Sequence, residues 1–489
     1  MSIRPRLGSE TRSLSAFGLG VLVAGVGLLS GSGRATELRL MGMGELNLVV
    51  EDEGLMVNLY DFGGNVAGLY LDEPMSTLTG VFSYGIMSIS EPGDASEDPL
   101  EMSYFGDPMK QKIMSYLPAF HRMNLPARMP LGVDLVYRME SSAVGVKAEF
   151  ARDEEEFVWW SVIPERSGVG TRTLAMFPST VLEYNVLFAD RVSLGVEAGY
   201  LRMAQSTDPG TNDLTVNSFG GGFGVGFFLS ETATVGGKVD FVRPELHVGA
   251  EDTTVSGGGF GISMQGLYHL FGLFRAGANL RYRTVSGSPV LGTSDVTADI
   301  RSGNTSDLVF ETKALTSFFL IPTQLGVSIG YTRESIDFEG VQTLEEGKQT
   351  EVGVFEGDIW TIPISVGVVY ATPGVTAGGE LHYTRGGETR EETASPVGSS
   401  VLSFNLGTEV GFGWAAVRSG LVMSRSDPDR DVEHDGWTTK KFTVGLGLSA
   451  PSNKLQGDLA YNYVVRTFEE DPDVKTSTNL FAAGFRLLF

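Results

Sequence analysis

The last nine residues alternate in a way that few folds accommodate. Phe481, Ala483, Phe485, Leu487 and Phe489 fall on one face at the two-residue period of a strand, while Gly484 and Arg486 fall on the other. The pattern recurs many times upstream, in segments joined alternately by a few polar residues and by longer polar stretches. Such a chain must bury a long series of half-apolar strands, and closing the sheet on itself does so without leaving edges. The reading is all-β, a transmembrane antiparallel β-barrel of about 14–18 strands with an N-terminal hatch-like segment.

From Leu131 onward the segments pair as hairpins. Leu131 to Arg138 and Ala143 to Phe150 flank Glu140-Ser141-Ser142, and Thr180 to Ala189 and Val192 to Met203 flank Asp190-Arg191. Longer polar stretches separate the hairpins, among them Ser286 to Ser306, Ser335 to Glu356, Asp427 to Lys440 and Thr467 to Ser477. Short joints on one side and long ones on the other suit periplasmic turns and extracellular loops. Ile321-Pro322 reads either as a strand start or as a turn.

Strand parity sorts the two faces. Between Leu273 and Val285, Phe274, Ala276, Ala278, Leu280 and Tyr282 form one row, and Arg275, Asn279, Arg281 and Arg283 form the other. An arginine facing lipid at mid-bilayer costs roughly 2–4 kcal/mol, so the polar row is expected to line the lumen. The same sorting places Asp134, Lys147, Glu197, Lys238, Asp240, Glu380, His382 and Asp458 inside. Tyr137, Tyr200, Tyr370, Tyr383 and Trp414, near strand ends, suit interfacial aromatic girdles.

The N-terminus reads as a secretory signal peptide over residues 1–35. Arg4, Arg6 and Arg12 precede an apolar run, Phe17 to Ser30, and Gly33-Arg34-Ala35 offers small residues at the cleavage-reading positions. The domain reading is then 36–130 as a hatch and first-strand region and 131–489 as the barrel. The chain has no Cys, which excludes disulfides, thiolate metal sites and a lipid-modified cysteine. A formal net charge of −24 argues against nucleic acid as a partner, because phosphate is repelled by such a field.

Within the N-terminal region, Arg39-Leu40-Met41-Gly42-Met43-Gly44 is followed by Glu51-Asp52-Glu53 and then by Asn65-Val66-Ala67-Gly68-Leu69. This resembles the start of the outer-membrane barrels of the long-chain fatty acid transporter group and their PorV-like relatives in secretion. Their third motif carries Pro where Val66 stands here. The Ile321-Pro322 and Ile362-Pro363 steps, each followed by a Gly (Gly326, Gly367) and a Tyr (Tyr331, Tyr370), are similar to strand starts of that group. The closing Phe489 resembles the signal read by the barrel-assembly machinery. The resemblance implies a hatch with Asn65, Ala67, Gly68 and Leu69 in its motif. It also implies the cell outer membrane of a Gram-negative-type bacterium, outer-membrane lipid as surroundings, and passage of hydrophobic small molecules such as fatty acids. Its secretion-associated members imply the alternative of a non-transporting scaffold or shuttle.

Met102, Met109, Met114, Met123, Met129 and Met139 crowd one stretch. Flexible thioethers shape adaptable apolar pockets and equally fill gaps in any core. On the first reading Met102, Met109, Ile113, Met114 and Met123 are candidate ligand contacts. Catalytic residues are not expected. Gly326-Val327-Ser328-Ile329-Gly330 has the form of a nucleophile elbow but lies inside a strand pattern. The five histidines make no metal-binding pair, the sequence offers no credible Ser and His pair for a barrel enzyme such as a phospholipase, and no cofactor or metal is expected. The carboxylates of Asp427 to Asp435 lack the Gly and Glu of a calcium loop.

Overall fold

The computed structural model describes residues 38–46, 48, 67, 76–90 and, apart from gaps within the connections between strands, 129–489. The signal peptide expected over 1–35 and the candidate contacts Met102, Met109, Ile113, Met114 and Met123 lie outside the described residues.

A short helix, α1 (Leu38–Gly42), precedes the strands. These begin with β1 (Thr77–Ser90), β2 (Met129–Arg138), β3 (Ser142–Trp159), β4 (Gly168–Phe188), β5 (Val192–Thr207), β6 (Leu214–Phe228) and β7 (Ala233–Val248). Next come β8 (Thr253–Ser256), β9 (Gly258–Leu270), β10 (Phe274–Pro289), β11 (Ala298–Ile300), β12 (Ser302–Phe318) and β13 (Thr323–Thr343). The series ends with β14 (Gln349–Thr372), β15 (Val375–Arg390), β16 (Val397–Gly411), β17 (Ala415–Pro428), β18 (Trp437–Ser449), β19 (Leu455–Phe468) and β20 (Lys475–Leu488).

Every neighbouring pair is antiparallel, and β1 pairs with β20 along its whole length, from Thr77 against Leu488 to Ser90 against Lys475, which closes the ring. Because β8 and β9 both pair with β7, and β11 and β12 both with β13, each of those pairs is one interrupted barrel strand. The twenty segments therefore form an eighteen-stranded closed barrel. β1, inside the 36–130 region, is a member of this ring. One rim carries eight turns of two to five residues, together with the start of β1 and Phe489, whose N–H donates to the Ser76 carbonyl at 3.0 Å. Ile321 and Pro322 fall in one of these turns.

At the other rim the strands run further than the hydrophobic pattern suggests. Ser335 to Glu356, read from sequence as a loop, is strand up to Thr343 and again from Gln349, so β13 and β14 reach 21 and 24 residues. Ser286 to Ser306 likewise contains the end of β10, all of β11 and the start of β12. Beyond the bilayer neither face meets lipid, so the alternation fades from the sequence while the backbone ladder continues. β2 is described from Met129 on, and its described ladders end at Phe82 against Leu131 with β1 and at Met129 against Arg152 with β3. Among the described residues, the rest of β1 and β3 beyond those points has no β2 partner.

The two faces separate by parity. On β18, Phe442, Val444 and Leu448 are exposed to the outside while Thr443 is buried within. Leu446→Arg should therefore cost roughly 2–4 kcal/mol of stability in bilayers, as for any mid-bilayer arginine on the lipid face. Ser403→Arg, on the inner face of β16, should cost much less. Equal urea unfolding midpoints for the two variants in lipid vesicles would refute the face assignment. Gly445 is no neutral inward control, since a Cβ there would lie 3.2 Å from the Gly42 Cα.

Candidate functional site: the lumen and its N-terminal occupant

The polar row of β10 turns inward. Asn279 and Arg283 are buried, and Arg275 and Arg281 share their parity, whereas Phe274, Leu280 and Tyr282 are exposed on the outer face. Arg281 reaches Asp307 at 3.2 Å, and Arg283 lies 3.6 Å from Asp307 and 4.0 Å from Asp240. On β5 and β7, Glu197 and Lys238 approach to 2.6 Å, both buried. A closed ring with an apolar exterior and an ion-paired interior satisfies every constraint that lipid places on a spanning sheet. The protein is an outer-membrane β-barrel.

Its lumen is occupied. Residues 38–46 and 48 lie against the inner wall of β15–β20, with α1 touching β17, β18, β19 and β20. The wall is made of small residues where the segment passes. Gly378, Gly407, Gly420 and Thr443 share one row of register across β15–β18, and Gly445, Ala460 and Ala482 share the row beside it across β18–β20. A Cβ on Gly407 would sit 1.9 Å from the Met43 carbonyl oxygen, and one on Gly420 2.2 Å from the Gly44 nitrogen. No side chain fits at either position while the segment is seated. Gly44 itself turns the chain in the left-handed region, at φ 70°.

Polar groups lock the segment in register. Thr443 Oγ1 donates to the Gly42 carbonyl at 3.0 Å and accepts from the Gly44 N–H at 3.1 Å. Asn405 donates to the Glu45 carbonyl at 3.2 Å, Lys441 pairs with the Glu45 carboxylate, and the Leu48 N–H donates to Glu380 at 2.7 Å. Arg39 forks onto Glu409, with contacts of 2.9 and 3.1 Å. Glu409 is shared: Arg418 donates to it at 2.6 Å and to Asp458 at 2.5 Å, all three side chains being almost wholly buried. Bidentate guanidinium–carboxylate geometry gives such contacts direction as well as strength. Apolar packing completes the seat. Met43, Leu46 and Leu48 cluster with the inward-facing Leu315 and Val369, and Leu38 packs on Ala460 and Ala482.

A second anchor lies across the ring. The Ala67 carbonyl accepts from Asn185 at 2.9 Å and from the Ser193 hydroxyl on β4 and β5, all three residues being fully buried. Of the expected hatch motif, Ala67 is thus held by the wall, while Asn65, Gly68 and Leu69 lie outside the described residues. The chain must join its contact with Glu380 on β15 to this one on β4 and β5, close to opposite sides of the eighteen-stranded ring.

Glu380 and His382 both face inward. His382 Nδ1 lies 2.8 Å from Ser365 Oγ, its direct cross-strand partner, and its Nε2 lies 2.9 Å from Glu380. The fold thus brings together a Ser and a His where sequence reasoning found no such pair, and the backbone N–H groups around them serve the β14–β15 ladder. Glu409, Arg418, Lys441, Asn405, Asn185 and Ser193 were not singled out by sequence reasoning. Carrying the parity sorting through β16 and β17 would have turned Glu409 and Arg418 inward, but nothing in the sequence links either to Arg39.

No family model and no curated protein matches this chain. Among solved structures, similar ones include the CymD monoaromatic hydrocarbon channel, at 11% identity over 94% of this chain and 98% of that one, with a TM-score of 0.38. The toluene transporter TodX of Pseudomonas putida matches at 8% identity with the same coverage and a TM-score of 0.37. The FrpB iron transporter of Neisseria meningitidis matches at 9% identity over 86% of this chain and 83% of that one, with a TM-score of 0.43.

Proposed function

We propose that the protein is a gated outer-membrane channel for hydrophobic small molecules, with residues 38–48 as part of its hatch. The observation that carries this reading is the occupied lumen. A ring of eighteen strands encloses an interior wide enough for an aqueous channel, and here a specific N-terminal segment fills part of it through groups built for that purpose. One feature favours apolar cargo: Met43, Leu46, Leu48, Leu315 and Val369 form an apolar cluster inside a lumen whose wall also carries ion pairs. The N-terminal motifs resembling the fatty acid transporter group agree with this.

The density of polar contacts on residues 39–48 also favours a second reading, a permanently closed scaffold. Uptake separates the two. In an outer-membrane host lacking its own hydrophobic-compound channel, expression of the protein should restore uptake of radiolabelled oleate or toluene and leave glucose uptake unchanged. Restoration of neither apolar compound, with the barrel folded in the membrane, would favour the scaffold.

A further inference from the structure

Part of the N-terminal segment is folded on itself rather than on the wall. The Met43 N–H reaches the Arg39 and Leu40 carbonyls at 3.1 Å, and the Glu45 N–H returns to the Leu40 carbonyl at 2.9 Å. These bonds close one helical turn with a left-handed exit at Gly44 and Glu45, φ 70° and 59°. A piece of chain with its own internal bonds loses less freedom on docking than an open one, so more of what it gains from the wall is kept as affinity. The seat and its occupant are also remote in the chain: the groups in contact are 332 to 401 positions apart. The covalent connection therefore adds effective concentration to these contacts and is not itself one of them.

The wall reads this turn largely through its main chain. The Gly42 carbonyl, the Gly44 N–H, the Glu45 carbonyl and the Leu48 N–H are all backbone groups, met by the side chains of Thr443, Asn405 and Glu380. Side-chain identity enters at the two charges, Arg39 on Glu409 and Glu45 on Lys441, and at the two glycines. A Cβ at position 42 would lie 3.1 Å from the Gly445 Cα, and one at position 44 would lie 2.4 Å from the Leu406 carbonyl oxygen. Glu409 and Gly445 share one row of the wall, Gly420 and Thr443 the next, and Asn405 and Lys441 the third. The turn is thus read in order from Arg39 to Glu45, and a reversed occupant would set like charges together. Main-chain hydrogen bonds for affinity, with a few side-chain positions for specificity, are the chemistry by which grooves take short peptides.

We propose that the trough over β15–β18 is a peptide-binding site whose tethered ligand is this chain's own N-terminal segment, and that a separate peptide of the pattern Arg-x-x-Gly-x-Gly-Glu takes the same place once that segment is unseated. The site stands under the channel and the scaffold readings alike. The test uses the full-length chain carrying Gly44→Val, which sets a branched side chain at a positive φ and against the Leu406 carbonyl, so that its own segment leaves the seat. A fluorescein-labelled peptide with the sequence of residues 38–48 is titrated against the detergent-purified variant and followed by fluorescence anisotropy. It should bind saturably, and at least about tenfold more tightly than to the intact protein, whose tethered segment competes at high effective concentration. Glu45→Lys in the peptide should weaken binding about tenfold, and Lys441→Glu in the barrel should restore it. A chain lacking residues 38–48, its folding checked by heat-modifiable gel mobility, provides the vacant seat by a second route. Absence of saturable binding to either folded variant, equal binding to the intact protein, or a charge swap that restores nothing overturns the proposal. Peptide binding without any change in conductance retains the site and counts against the hatch, whereas a conductance that rises in the shortened chain without peptide binding keeps the hatch and overturns the site.

Discussion

Deleting residues 38–48 should give a barrel that still assembles but conducts in planar bilayers with a large, steady single-channel conductance. The ring closes through β1 and β20 without these residues, so the wall survives their loss. The segment itself contributes the Met43 and Leu46 side chains, both fully buried, and its backbone fills the trough over Gly407 and Gly420. A point substitution reaches the same state by another route. Gly407→Leu puts its first side-chain atom where the Met43 carbonyl oxygen lies, and since that glycine is in a hydrogen-bonded strand the segment has to move rather than the wall. Both variants should conduct more than the intact protein, the deletion more than the substitution. A deletion that folds and stays closed would show that the remaining N-terminal residues occlude the lumen alone.

The barrel was legible in the sequence because lipid imposes a rule on alternate residues, and the rule is broken only at a cost that a stable protein does not carry. On β10 the inward turn of Arg281 and Arg283 follows from parity alone. The strand count needed the ladder: β8 and β9, or β11 and β12, cannot be recognised as single strands from polarity. The site was less legible for a different reason. The residues seating the N-terminus are far from it in sequence, 370 positions in the case of Arg39 and Glu409. Locally they look like ordinary members of polar strand faces. The glycines were equally silent, because the sequence holds 64 of them and only Gly378, Gly407, Gly420 and Gly445 fall into two adjacent rows under the segment.

Arg418→Met should be the most destabilising single change on the inner wall. The guanidinium is completely buried between Glu409 and Asp458, and removing one partner of a buried ion pair costs about 3–5 kcal/mol because it leaves charge behind in a poorly solvating place. Glu409 keeps the two hydrogen bonds from Arg39. In the Arg418→Met background, Glu409→Gln should therefore recover less of the lost stability in the intact chain, where the change removes the carboxylate that Arg39 forks onto, than in a chain lacking residues 38–48, measured as unfolding midpoints in lipid vesicles. Equal recovery with and without the segment would mean that Arg39 does not stabilise Glu409, and that the shared carboxylate belongs to the wall alone.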